Sequence, residues 1–127
     1  MQYNLLENFY KETASTYTSE KSSVFNSIIE LNPEHGIYKG HFPYVPVAPG
    51  VCLVQIIKEI LSVKVQKKLM LIEGNNIKFL ILVNPKEINL FQIDFIVNHS
   101  DNNYEVNANY INNGKIFVKF KGKFKIV

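Results

Sequence analysis

Three of the five prolines of this 127-residue chain, Pro43, Pro46 and Pro49, fall within a span of seven residues. Each fixes its own φ and drives the residue before it to an extended conformation, so the segment is neither helical nor paired inside a sheet. Pro49-Gly50 closes the rigid run, and a proline-free apolar segment follows: Val51, Leu53, Val54, Ile56, Ile57, Ile60 and Leu61. Apolar positions cover most of its circumference, which predicts a buried helix over residues 51–65. A stiff loop thus leads straight into a buried helix, and it carries one titratable imidazole, His41. The backbone N–H groups of Gly50 and Val51 open the helix, where they lack intrahelical acceptors and the dipole favours negative charge. A base facing an anion-stabilising helix end is the minimum equipment for proton abstraction next to a carbonyl.

The remainder of the chain reads almost entirely as strand. Residues 3–9 predict a turn or two of helix, and residues 13–18 and 24–31 predict strands, the second stopped by Asn32-Pro33-Glu34-His35-Gly36. Beyond the helix, residues 69–72 and 77–83 predict strand interrupted by a bulge or bend at Gly74-Asn75-Asn76. Asn84-Pro85-Lys86-Glu87 is a turn. Phe91, Ile93, Phe95 and Val97 alternate with polar residues, Ile96 excepted, as in a half-buried strand. Tyr104, Val106, Ala108 and Tyr110 continue the pattern, and Asn113-Gly114 is the strongest hairpin signal in the chain. One early helix and a late antiparallel meander make an α+β protein. At this length residues 1–127 form a single domain.

Composition excludes several classes of function. All basic residues are lysine, and the net charge is only +3, a poor endowment for nucleic-acid readers that depend on arginine forks. No apolar run approaches the roughly 18 residues of a membrane helix, and the first residues lack the pattern of a signal peptide. The single cysteine, Cys52, fits a reducing cytoplasm and reads as a small core hydrophobe. No cluster of cysteines and histidines suggests zinc. His35 and His99 sit in turns and read as surface residues.

At two places the sequence resembles a known family. Gly40-His41-Phe42-Pro43-x-x-Pro46-Val47-x-Pro49-Gly50-Val51 is similar, without a gap, to the signature of the FabZ/FabA-type 3-hydroxyacyl-(acyl carrier protein) dehydratases. Lys78-Phe79-x-x-x-Val83-x-Pro85-x-Glu87 resembles a second segment of that family, with Lys86 in place of a glycine and Glu87 in place of aspartate. The resemblance implies the hot-dog fold, in which a long antiparallel sheet wraps one central helix. It further implies removal of water from a 3-hydroxyacyl thioester in fatty-acid or related polyketide or polyene biosynthesis. The substrate is carried by acyl carrier protein or CoA. No metal or organic cofactor is implied, since phosphopantetheine arrives with the substrate.

The resemblance also assigns residues. His41 is the catalytic base, and the Gly50 and Val51 amides hold the thioester carbonyl oxygen. Where the family has a carboxylic acid this chain has Gln55, which has the shape of glutamate but no proton to give. Glu59, one turn on, is a relocated acid or an ordinary structural glutamate. Its carboxylate is expected about 6 Å along the axis, beyond direct hydrogen-bond reach of the original position. Family sites are shared between subunits, so a homodimer or higher oligomer is expected, or a heteromeric hot-dog partner. Phe117, which falls on the lysine-rich face of the last strand, is expected to lie in such a contact. The lysines at 115, 119, 121, 123 and 125 otherwise read as a solvated face. Two alternatives stay open: a hot-dog acyl thioesterase, and a weakly active or inactive acyl-binding subunit of a heteromeric dehydratase.

Overall fold

The computed structural model describes residues 7–16, 23–40 and 45–127. Its strands are β1 (Tyr10–Ser15), β2 (Val24–Leu31), β3 (Leu69–Phe79), β4 (Leu90–Ser100), β5 (Asn103–Asn112) and β6 (Lys115–Ile126). A single helical turn, α1 (Ile37–Gly40), precedes the long helix α2 (Gly50–Val65). All pairings are antiparallel, and the six strands form one sheet in the order β1-β2-β4-β5-β6-β3. The α+β expectation holds. The predicted start of β1 moves forward, and the helical reading of residues 3–9 and the end of the predicted first strand lie largely outside the described residues.

Alternation builds the sheet's inner face. Phe25, Ser27, Ile29 and Leu31 of β2 and Phe91, Ile93, Phe95 and Val97 of β4 are buried, while Ile96, the exception in the pattern, points outward and is half exposed. These side chains share one core with Leu53, Ile56, Ile57, Ile60 and Leu61 of α2. Each such aliphatic side chain stabilises the fold by about 1.5–3 kcal/mol through removal from water. Asn113 and Gly114 both have positive φ, 50° and 75°, which is the type I′ geometry that matches strand twist. Helix α2 starts after Pro49 and stops at Gln66, whose left-handed backbone returns its N–H to the Ser62 carbonyl.

Three expectations need correction. Phe117 is not on the outer face: it is 5% exposed and packs edge-on against Phe91, ring centroids 5.1 Å apart. A bulge between β5 and β6 is responsible. Tyr110 pairs with Val118 but Ile111 pairs with Ile116, so Phe117 is an extra residue and both it and Val118 turn inward. The same bulge leaves Ile116 only partly buried, although strict alternation along the strand would set it on one face with Val118. Finally, β3 ends at Phe79 instead of running to Val83, because the N–H groups of Leu80 and Ile81 both converge on the Phe117 carbonyl and the chain leaves the ladder. The bulge foreseen at Gly74-Asn75-Asn76 is present, with β3–β6 register shifts between Leu71 and Glu73 and between Gly74 and Asn76.

Candidate active site

Fold geometry brings the two family-like segments together. The Ala48 N–H donates to the Val83 carbonyl at 2.8 Å, tying the proline-rich loop to the stretch after β3. Gly50 lies under the ring of Phe79: a Cβ there would stand 2.6 Å from the ring carbon Cζ, so a side chain at this position would push the half-exposed ring aside. The turn at Asn84 is locked by its own side chain, whose Oδ1 accepts from the Lys86 N–H at 3.0 Å. A cleft of about 250 Å³ opens at this corner, lined by His35, Tyr38, Lys39, Pro46 and Lys86 among others.

Among the described residues, no side chain caps the N-terminus of α2, and its first residues carry no acidic group. The Cys52 and Leu53 N–H groups both donate to the Pro49 carbonyl. Those of Gly50 and Val51 precede them and point out of the helix end, where the macrodipole is positive. Val51 is 77% exposed, whereas Gly50 is partly buried beneath Phe79. His41, the expected base, lies outside the described residues, as do Phe42, Pro43 and Tyr44.

Gln55 and Glu59 stand together. Gln55 Nε2 donates to Glu59 Oε2 at 3.0 Å, and the Tyr10 hydroxyl donates to Glu59 Oε1 at 3.0 Å. The expected gap between position 55 and the carboxylate is thus closed, because side chains four apart on a helix lean toward one another. Glu59 is 3% exposed, deep for a charged residue type. Tyr10 stays a phenol. Burial pushes its pKa well above the ordinary tyrosine range, with the Glu59 charge, the Glu59 hydrogen bond and Glu12 adding to it. Tyr10 was not foreseen. Its contact spans 49 residues and no local spacing announces it.

The other polar groups of the region are structural. Tyr110 donates to the Leu53 carbonyl at 2.7 Å from full burial. Burial pushes the Cys52 thiol up, as suits a core residue and not a nucleophile. Tyr38 is buried with its hydroxyl unpartnered, and burial followed by Cys52 raises its pKa. His35 is more than a surface residue: its Nδ1 accepts from the Ile37 N–H, its Nε2 faces the Glu7 carbonyl, and its ring meets Phe9 edge-on. His99 is exposed and stacks on Tyr104. Among the described residues, no helix is long and apolar enough to cross a membrane.

Solved structures share this architecture. The ApeI:P dehydratase heterocomplex of Xenorhabdus doucetiae matches with a TM-score of 0.72 at 15% identity, over 91% of this chain and 96% of that one. An uncharacterised protein of Erwinia carotovora subsp. atroseptica matches with 0.67 at 15% identity, over 93% and 95%. An inactive mutant of the CurJ dehydratase in complex with a compound matches with 0.59 at 13% identity, over 90% of this chain and 40% of that one. At such identities these matches establish the fold, and that fold is the hot-dog fold. The sequence supplies the family. Residues 16–121 match the family model of the ApeI-like proteins, described as ApeI dehydratase, and the chain belongs to that family. No curated protein matches the sequence. The dehydratase expectation therefore holds at family level, while the FabZ/FabA-type assignment rests on motif resemblance alone.

Proposed function

We propose that the chain converts a (3R)-3-hydroxyacyl thioester, carried on acyl carrier protein or CoA, into the trans-2-enoyl thioester and water. The observation that carries this reading is the end of α2, which has no side-chain cap among the described residues, in a chain of a dehydratase family, with the Gly50 and Val51 amides about one turn before Gln55. In the proposed reaction His41 takes the C2 proton, and the two amides hold the oxygen as it gains enolate character. Gln55 orients the 3-hydroxyl through a hydrogen bond. As the C3–O bond breaks, His41 returns the proton it took, so that the hydroxyl departs as water and the thioester stays whole. The reaction needs no resident cofactor.

A second hot-dog chain is part of the proposal, either a copy of this one or a partner with an intact acid. It is proposed to pair along β3, whose outer edge has no neighbour among the described strands. Exposed apolar residues support this: Met70, Ile72 and Phe79 on the strand, then Leu80, Ile81 and Leu82 beyond it. The heteromeric form is favoured by one observation: the amide at position 55 leaves His41 to carry both proton transfers in this chain's own site, whereas a partner with an intact acid would offer a site that divides them. That the ApeI:P neighbour is a heterocomplex agrees with it.

Purified protein incubated with 3-hydroxyacyl thioesters, products resolved by mass, tests the reaction. Loss of one water with the thioester intact is expected; release of free thiol without enoyl product would make the protein a thioesterase. His41→Ala is expected to lower the rate by about 10²–10⁴, the usual size of general-base catalysis, with the melting temperature unchanged. Full retention of rate would move the base elsewhere.

A further inference from the structure

We propose that Tyr10 and Glu59 are positioning residues that fix the Gln55 side-chain amide in one orientation, with its carbonyl oxygen left to receive the substrate's 3-hydroxyl. The proposal rests on the dehydratase reading and deepens it. A carboxylate only accepts hydrogen bonds, so an amide that meets it must offer nitrogen. With Nε2 committed to Glu59 Oε2, Oε1 is turned the other way, and among the described residues nothing else bonds to the Gln55 side chain. Glutamine in isolation has no such preference, because its two ends are nearly the same shape.

Tyr10 supplies the second constraint. Its hydroxyl holds Glu59 Oε1 while Oε2 serves Gln55, so the carboxylate is gripped from strand and helix at once. The strand itself is pinned to α2 two residues further on, where Lys64 and Glu12 meet at 3.1 Å and Ser27 also donates to Glu12. Tyr10 is therefore carried on a strand that cannot slide along the helix without breaking a second polar contact. On this proposal Glu59 serves by geometry and not as a proton donor. It aims the residue that replaced the acid.

The test compares the assembled wild-type protein with Tyr10→Phe, Glu59→Gln, their combination, and the exchange Gln55→Glu/Glu59→Gln. Rates on a 3-hydroxyacyl pantetheine thioester are measured together with the Gln55 side-chain amide resonance by heteronuclear NMR. Tyr10→Phe and Glu59→Gln are each expected to lower kcat about tenfold with KM within about twofold, the signature of an interaction that matters in the transition state. Combined, they should lose little more than either alone, because they act through one amide. The exchange closes the network again: an amide at 59 can accept from Tyr10 and donate to a carboxylate at 55, so kcat should return at least to the wild-type value. An unchanged kcat in Tyr10→Phe, losses that multiply, or an exchange as slow as Glu59→Gln would each overturn the assignment. If the wild type dehydrates nothing, the NMR arm decides separately. A Gln55 amide resonance that moves in both single variants sustains the positioning network and faults the reaction; one that does not move overturns the network. Should Tyr10→Phe fail to fold, Glu59→Gln preserves the side-chain shape and carries the same comparison.

Discussion

The two edges of the sheet are finished in opposite ways. β1 is six residues long, polar along Lys11, Glu12, Thr13 and Ser15, and broken by a bulge between Glu12 and Ala14. These are the devices that discourage another chain from adding to a sheet. Its inward contacts are made by Tyr10 and Glu12, which bind the helix through Glu59 and Lys64. β3 is eleven residues long, and Met70, Ile72 and Phe79 are 47%, 40% and 48% exposed. The contrast teaches that one edge is closed by its own chain through polar anchors, whereas the other keeps an apolar margin for the proposed second chain. It also explains a division of labour. The closed edge orients the candidate site from within, and the open edge lies beside Gly50, where the site would be completed from without.

The largest effect that tests this contrast comes from charging the open edge. Ile72→Lys/Leu82→Lys is expected to reduce the protein to a monomer by light scattering and to lower dehydratase activity about 100-fold, the low end of what misplacing an acid–base group costs. Thr13→Lys on β1 should change neither. A native monomer that is fully active would break the comparison at once. Next in size, Glu12→Ala removes the contact that joins Lys64 to β1 and takes away the acceptor of buried Ser27, and is expected to cost about 1–3 kcal/mol in denaturant unfolding. If it costs nothing, β1 is not anchored as described.

A third test uses alkali. Tyr10, Tyr38 and Tyr110 are all raised above the ordinary tyrosine value, chiefly by burial. The folded protein keeps these protons where an unfolded chain, with tyrosines near about pH 10, releases them. Their contribution to stability is therefore complete below about pH 10 and is lost progressively above it. Because Tyr10 sits on β1, hydrogen exchange should speed up there before it does in β3, and simultaneous loosening of both edges would blunt the comparison. The smallest effect is expected at Cys52, which is buried and whose thiol is raised by burial. Labelling by a thiol reagent at neutral pH should be slow in the wild type and only a little faster in the charged-edge variant.

Much of this was legible in the sequence, for identifiable reasons. The bounds of β2 match the expected segment, because alternating burial is bounded by a strong turn. Asn113-Gly114 named its hairpin, since few residues tolerate two successive positive φ values. The bulge at Phe117 was not legible: a one-residue insertion reverses a face, and nothing in Lys115-Ile116-Phe117-Val118 marks it. The Gln55–Glu59 pair was visible as a spacing, but its closure by Tyr10 depends on how β1 lies against α2, a tertiary fact. The same holds for Gly50 beneath Phe79, which joins two motifs that the sequence shows only as separate.

The pairing of Leu69 with Ile126 bears on the timing of synthesis. β4, β5 and β6 join through short turns and can form as soon as each hairpin has emerged from the ribosome. β3 is translated before all three, yet its place in the sheet is beside β6, the last strand in order. Contacts so distant along the chain are slow to form, and an unpaired apolar strand is prone to aggregate while it waits. The open margin consequently does not exist as a flat, hydrogen-bonding edge until β6 is made. Any partner that reads that edge meets a sheet in which β6 is already in place, so pairing at β3 follows the synthesis of β6, and the interval before it is when a chaperone would have most to do.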